Sequence, residues 1–109
     1  MDLAARQTLI GQLQVLHLSG EADLATIPRL ADALTRLVAA ADGPCVVDLD
    51  GITVFEDAAL GLVLGAAGRA RQSSAELIVV CSPGLLRDRL ALTGFDRAVR
   101  VVDRLGAVA

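Results

Sequence analysis

Short runs of β-forming residues alternate with helical stretches along the whole chain, and that alternation leaves few folds open. A strand, helix, strand order with short connections predicts a sheet of mostly parallel neighbours layered with helices. Leu13 to Leu18 reads as the first clear strand and ends at Gly20, and a weaker extended stretch precedes it at Arg6 to Ile10. Cys45 to Leu49 opens with three apolar residues in a row, the pattern of a central strand covered on both faces. Glu76 to Cys81 and Ala98 to Val102 supply two more strands. Between them, Asp50 to Asp57 reads as a loop with a short extended piece, Ile52 to Phe55.

Three helices are predicted. From Ile27 to Ala41 apolar residues recur every three or four positions, with Thr26 as a cap, Pro28 in the first turn and Asp42-Gly43-Pro44 as the stop. The second runs from Ala58 to Arg71 and carries Gly61, Gly65 and Gly68 at helical spacing. Each glycine costs a helix about 1 kcal/mol relative to alanine, so close packing of that face against the sheet is expected. The third, Pro83 to Leu92, ends at Gly94. The fold class expected is α/β: one domain over residues 1–109, its core about 9–102, with a four- to five-stranded, mostly parallel (mixed) sheet and helices packed on it.

Composition narrows the function. Of the 109 residues 54% are hydrophobic but only 2% aromatic, so the core is built from Leu, Val, Ile and Ala. The net charge is −3 and the basic residues are all Arg, spread without a run, which disfavours nucleic acid and anionic membrane as direct partners. Without Lys, Schiff-base chemistry and a phosphate-loop lysine are excluded. His17 is the sole histidine, and no G-x-S-x-G, H-E-x-x-H or G-x-G-x-x-G occurs, so neither a nucleophile and base pair nor a metal or cofactor site is expected. Cys45 and Cys81 fall at opposite ends of parallel strands, too far apart to bridge, and are expected to be buried free thiols. The chain shows no secretory signal, and its longest apolar run is about ten residues against the roughly 20 that span a bilayer, so a cytoplasmic protein without membrane insertion is expected.

Asp48, Asp50, Glu56 and Asp57 bracket one strand-to-helix connection. Such connections, at the carboxyl ends of parallel strands, are where partners dock. Asp57 also suits a helix cap, its carboxylate accepting backbone N–H bonds.

Three stretches in order carry a resemblance: Leu16-His17-Leu18-Ser19-Gly20-Glu21-Ala22-Asp23-Leu24, then Val47-Asp48-Leu49 through Glu56-Asp57-Ala58-Ala59-Leu60-Gly61, then Leu92-Thr93-Gly94-Phe95-Asp96. They are similar to the "SGELD" strand end, the "DSSGLG" loop and the "L-x-G-L-D" turn of the STAS, or anti-sigma factor antagonist, family. The resemblance implies a STAS-like single domain, a protein-binding regulatory module rather than an enzyme. It implies as partner an anti-sigma factor that is also a serine kinase and phosphorylates the second Ser of "DSSGLG". The partner-binding residues so implied are Glu21, Asp23, Leu24, Asp50, Glu56, Asp57, Ala58, Ala59 and Leu60. Ala58 stands at the phosphorylated position and has no hydroxyl, so that switch is absent. The alternative is a STAS-type accessory subunit of a membrane transporter or of a larger signalling assembly, and a second copy of the chain is a further candidate partner.

Overall fold

The computed structural model describes residues 2–108. Five strands form one mixed sheet in the order β1-β2-β3-β4-β5. They are β1 (Leu3–Ile10), β2 (Leu13–Ala22), β3 (Pro44–Phe55), β4 (Glu76–Val80) and β5 (Arg100–Val102). β1 and β2 pair antiparallel across the turn at Gly11-Gln12, and every later pair is parallel. The helices are α1 (Ile27–Ala40), α2 (Asp57–Gln72), α3 (Leu85–Leu92) and the short α4 (Phe95–Ala98). All three predicted helices are present, while α4 occupies residues expected to lead into the last strand, which shortens to Arg100–Val102.

The pleat sorts the strands' residues onto two faces. Leu16, Leu18, Cys45, Val47, Leu49, Leu77 and Val79 meet α1 and α2 through Leu30, Leu34, Leu37, Val63, Ala66 and Ala67, with Leu90, Phe95 and Val99 closing the same core. Val15, Val46, Ile78 and Val80 form a smaller cluster on the opposite face, covered by Leu105 and Val108 of the C-terminal turn. Both faces of β3 at Cys45 to Val47 and of β4 at Leu77 to Val80 are thus buried, as the apolar run at Cys45 predicted.

Two expectations are overturned. The segment from Asp50 is not a loop holding a separate extended piece: Ile52 to Phe55 is extended as expected, but as the unbroken continuation of β3, pairing Ser19 with Gly51, Gly20 with Ile52, Glu21 with Val54 and Ala22 with Phe55. Its register slips twice against β2, and these bulges break the alternation that sequence reading relies on. The α2 glycines do not pack on the sheet either. Gly61 and Gly65 lie on the exposed face, and a Cβ at Gly61 would meet nothing within 4 Å. Ala59, Val63, Ala66, Ala67 and Ala70 make the packed face instead.

Cys45 and Cys81 are free and buried, four positions out of step because Cys45 pairs with Leu77. Burial pushes the Cys45 thiol up to about 11, and burial followed by the charge of Asp50 raises Cys81. The unfolded chain therefore releases these protons first. Stability contributed by Cys45 is expected to be present below about pH 9 and to fall as pH rises toward 11. Urea titrations between those values check this for Cys45→Ala against the unmodified chain; parallel declines in the two would refute it.

Candidate functional site

Parallel β2 and β3 end together at Ala22 and Phe55, and the chain leaves them into the turn before α1 and into α2 respectively. This brings two of the three resemblance stretches side by side. Thr26, 6% exposed, ties the first turn together. Its Oγ1 accepts from the Asp23 N–H at 3.0 Å and donates to the Glu21 carbonyl at 2.8 Å, while its N–H donates to Asp23 Oδ1 at 3.1 Å. The hydroxyl therefore serves the turn and makes no side-chain cap on α1, contrary to its expected role. The Glu56 N–H donates to the Ala22 carbonyl at 3.0 Å, and Glu56 Oε1 accepts from the Leu24 N–H at 3.1 Å. Leu24, held by these bonds, leaves 75% of its surface in solvent.

The expected cap at Asp57 is also absent. Glu56 is the N-cap and makes no side-chain cap bond, while Asp57 is the first helical residue. Its carboxylate, 93% exposed, instead pairs with Arg89 Nη2 of α3 at 2.5 Å. Arg89 donates in addition to the Phe55 carbonyl. An exposed ion pair contributes at most about 1 kcal/mol, so the pair positions Arg89 across the start of α2 more than it stabilises the fold.

Asp50, expected among the docking residues, is exposed and also holds the sheet together. Its Oδ1 accepts from the Ser82 N–H at 2.7 Å and its Oδ2 from Ser82 Oγ at 2.9 Å, stapling the bulge of β3 to the end of β4. Ala59 is fully buried against the sheet and Leu60 half-buried, because one turn of helix directs them inward. Ala58 is exposed. Leu24, Glu56, Asp57 and Ala58 thus share one surface, Glu21 and Asp23 hold its floor, and Asp50, Ala59 and Leu60 lie outside it.

Two residues missed from sequence complete the surface. Leu85, 90% exposed, and Arg89 lie one turn apart on α3. Two shallow grooves meet at Phe55 and Arg89, one lined also by Ile52, Thr53 and Leu85, the other by Leu24, Glu56, Asp57 and Ala58. The spacing of Leu85 and Arg89 was readable, but nothing local to α3 shows that it reaches α2. A wider groove, about 930 Å³, lies at the opposite end of the strands between the β1–β2 turn and Leu105. The His17 ring bonds Thr8 Oγ1 and Asp48 Oδ2, both at 3.1 Å. Among the described residues no cluster of three His, Cys, Asp or Glu side chains is placed to hold a metal, and no helix is long and apolar enough to cross a membrane.

A five-stranded mixed sheet with helices packed on it, and an exposed surface where β2 and β3 run into α1 and α2, defines an α/β domain of the STAS class. The family model described as Mlab, STAS domain matches residues 6–103, and the chain belongs to that family. Among solved structures it is similar to an anti-sigma factor antagonist from Mycobacterium paratuberculosis, with 22% identity over 97% of this chain and 90% of that one and a TM-score of 0.88. It also resembles the Bacillus cell fate determinant SpoIIAA in its phosphorylated form, with 15% identity, 96% of each chain covered and a TM-score of 0.69. An anti-sigma factor antagonist (STAS) domain protein from Planctomyces limnophilus shares 17% identity over 94% of this chain and 93% of that one, with a TM-score of 0.66. At these identities the likeness establishes the fold. No curated protein matches the chain.

Proposed function

We propose that this protein is a cytoplasmic regulatory module that binds an anti-sigma factor through the surface of Leu24, Glu56, Asp57, Ala58, Leu85 and Arg89. The observation that carries the reading is the pairing of exposed Leu24 and Leu85 with the Asp57–Arg89 ion pair around the first turn of α2. Apolar anchors beside a displaceable charge pair make a docking surface, since the anchors supply affinity and the charges register. The exposed glycines of α2 support it. Gly61 and Gly65 are helix-weakening residues that fill no internal need, and they leave a smooth outer face beside Ala58.

The test is titration calorimetry against an anti-sigma factor. Leu24→Asp and Leu85→Asp are each expected to weaken binding at least ten-fold, about 1.4 kcal/mol, with thermal stability unchanged because both side chains are already in solvent. Asp57→Lys is expected to do the same, since it removes no cap and only a weak exposed pair. Asp50→Ala is the control: it should lower stability through loss of the Ser82 staple and leave the affinity of the folded protein as it was. Undiminished binding by the folded Leu24→Asp, Leu85→Asp double variant would refute the proposal.

The alanine at position 58 favours a second reading as well. A permanent accessory subunit, of a transporter or a larger signalling assembly, needs no phosphorylation switch. Capture of transporter subunits, and of no anti-sigma factor, on the immobilised protein would select it.

A further inference from the structure

The two edges of the sheet are treated differently. β5 has only three residues, and its first, Arg100, donates to the carbonyls of Ala107 and Val108 in the C-terminal turn. β1 has eight residues in unbroken register with β2 and, among the described residues, no strand on its other side. It contains no proline and no bulge, and Arg6 is its one charge. Proteins protect edges with those very devices, because an unprotected one pairs with another strand.

The ladder fixes which groups β1 offers. The Glu21 N–H donates to the Asp2 carbonyl at 2.9 Å, flanking the opposed residues Leu3 and Gly20. Leu3 is therefore a non-hydrogen-bonded position toward β2, and the N–H and C=O groups of Leu3, Ala5, Gln7 and Leu9 point to the open edge. An antiparallel pair related by a two-fold axis must bring each residue against one of its own parity, which leaves two central registers. Centring on Arg6 sets Arg6 against itself, and like charges directly opposed are destabilising. Centring on Gln7 sets Ala5 against Leu9, Ala4 against Ile10 and Arg6 against Thr8 of the second copy.

That second register is self-complementary. Ala4 and Ala5 lie before the centre of β1 and Leu9 and Ile10 beyond it, so Leu9, 62% exposed, and Ile10, 47% exposed, fall on alanines. α1 places Arg29, Asp32 and Arg36 beside Ala5 and Gln7, so the flank carries both signs of charge. We infer that β1 pairs with β1 of a second copy across a two-fold axis at Gln7, joining two five-stranded sheets into one of about ten strands. The interface uses none of Leu24, Asp57, Leu85 or Arg89, so it stands or falls separately from the partner surface.

Light scattering over a dilution series is expected to give twice the 11.3 kDa chain mass at high concentration, falling toward the single mass. The Gln7 N–H faces outward, so Gln7→Pro spares the β1–β2 ladder and should raise the dimer dissociation constant at least ten-fold with an unchanged circular dichroism spectrum. Gln7→Lys, which opposes two charges on the axis without altering the backbone, should do likewise. Opposed hydrogen-bonded residues lie about 5.5 Å apart between Cα atoms, within disulfide reach. Gln7→Cys is therefore expected to form a disulfide-linked dimer on mild oxidation, and Leu9→Cys, which meets Ala5 instead, is not. A single chain mass up to millimolar concentration, or equal crosslinking at the two positions, would overturn the inference.

Discussion

Gly51→Val is expected to lower stability by about 3 kcal/mol, the upper part of the usual range for overpacking, and the melting temperature by on the order of 10 °C. A Cβ at Gly51 would lie 2.8 Å from the Leu18 carbonyl oxygen and 2.8 Å from Ser19 Cβ. Both belong to β2, a strand held on each side, so neither has room to retreat. The contact arises where β3 slips register against β2, and the bulge has to open or the strands part. Gly61→Ala is the matching opposite. It meets open space on the outer face of α2 and is expected to raise stability by up to about 1 kcal/mol. Chemical denaturation of the two variants beside the unmodified chain checks both signs; equal and small effects would show that the bulge tolerates a side chain.

These glycines mark where sequence stops being legible. Periodicity finds α1 because Leu30, Leu34 and Leu37 repeat one packed stripe. It finds the buried middle of the sheet because Cys45, Val46 and Val47 are covered on both faces. It finds Ile52 to Phe55 extended but fails to join that piece to the strand before it, because two bulges add residues to β3 and destroy the two-residue repeat. It fails again at α2, where the cost of a glycine says only that something compensates and not on which face. The proposed partner surface was half legible for a similar reason. Leu24 and Asp57 lie within recognisable stretches, but Arg89 joins them across 32 positions of sequence, and Asp50 leaves the surface through bonds to Ser82 that no local pattern announces. Turn chemistry shows the same ambiguity. A threonine before a helix reads as a cap, yet Thr26 turns its hydroxyl back to Glu21 and Asp23.

A sigma-regulator kinase with ATP is expected to leave the unmodified protein without label, and to transfer one phosphoryl group to Ala58→Ser. Ala58 is exposed on the first turn of α2 and its side chain carries no oxygen, so it offers no acceptor, whereas a serine there would lie in solvent. The nearby hydroxyls are engaged: Ser82 Oγ donates to Asp50, Thr53 Oγ1 to the Gly20 carbonyl, and Thr26 is buried. Asp57 is a poor permanent substitute for a phosphate. It brings one negative charge where a phosphoserine brings about 1.5 to 2, and Arg89 already neutralises it. In Ala58→Ser the added phosphate would stand beside Glu56 and Asp57, and their repulsion together with the new bulk should displace the bound partner. On the proposed function, ATP and kinase are expected to leave partner binding by the unmodified chain unchanged and to weaken it in the variant, a difference readable in one titration before and after kinase treatment. Label recovered from the unmodified protein on a peptide containing Glu56 to Leu60 would show the reading wrong, as would a labelled Ala58→Ser that binds its partner undiminished.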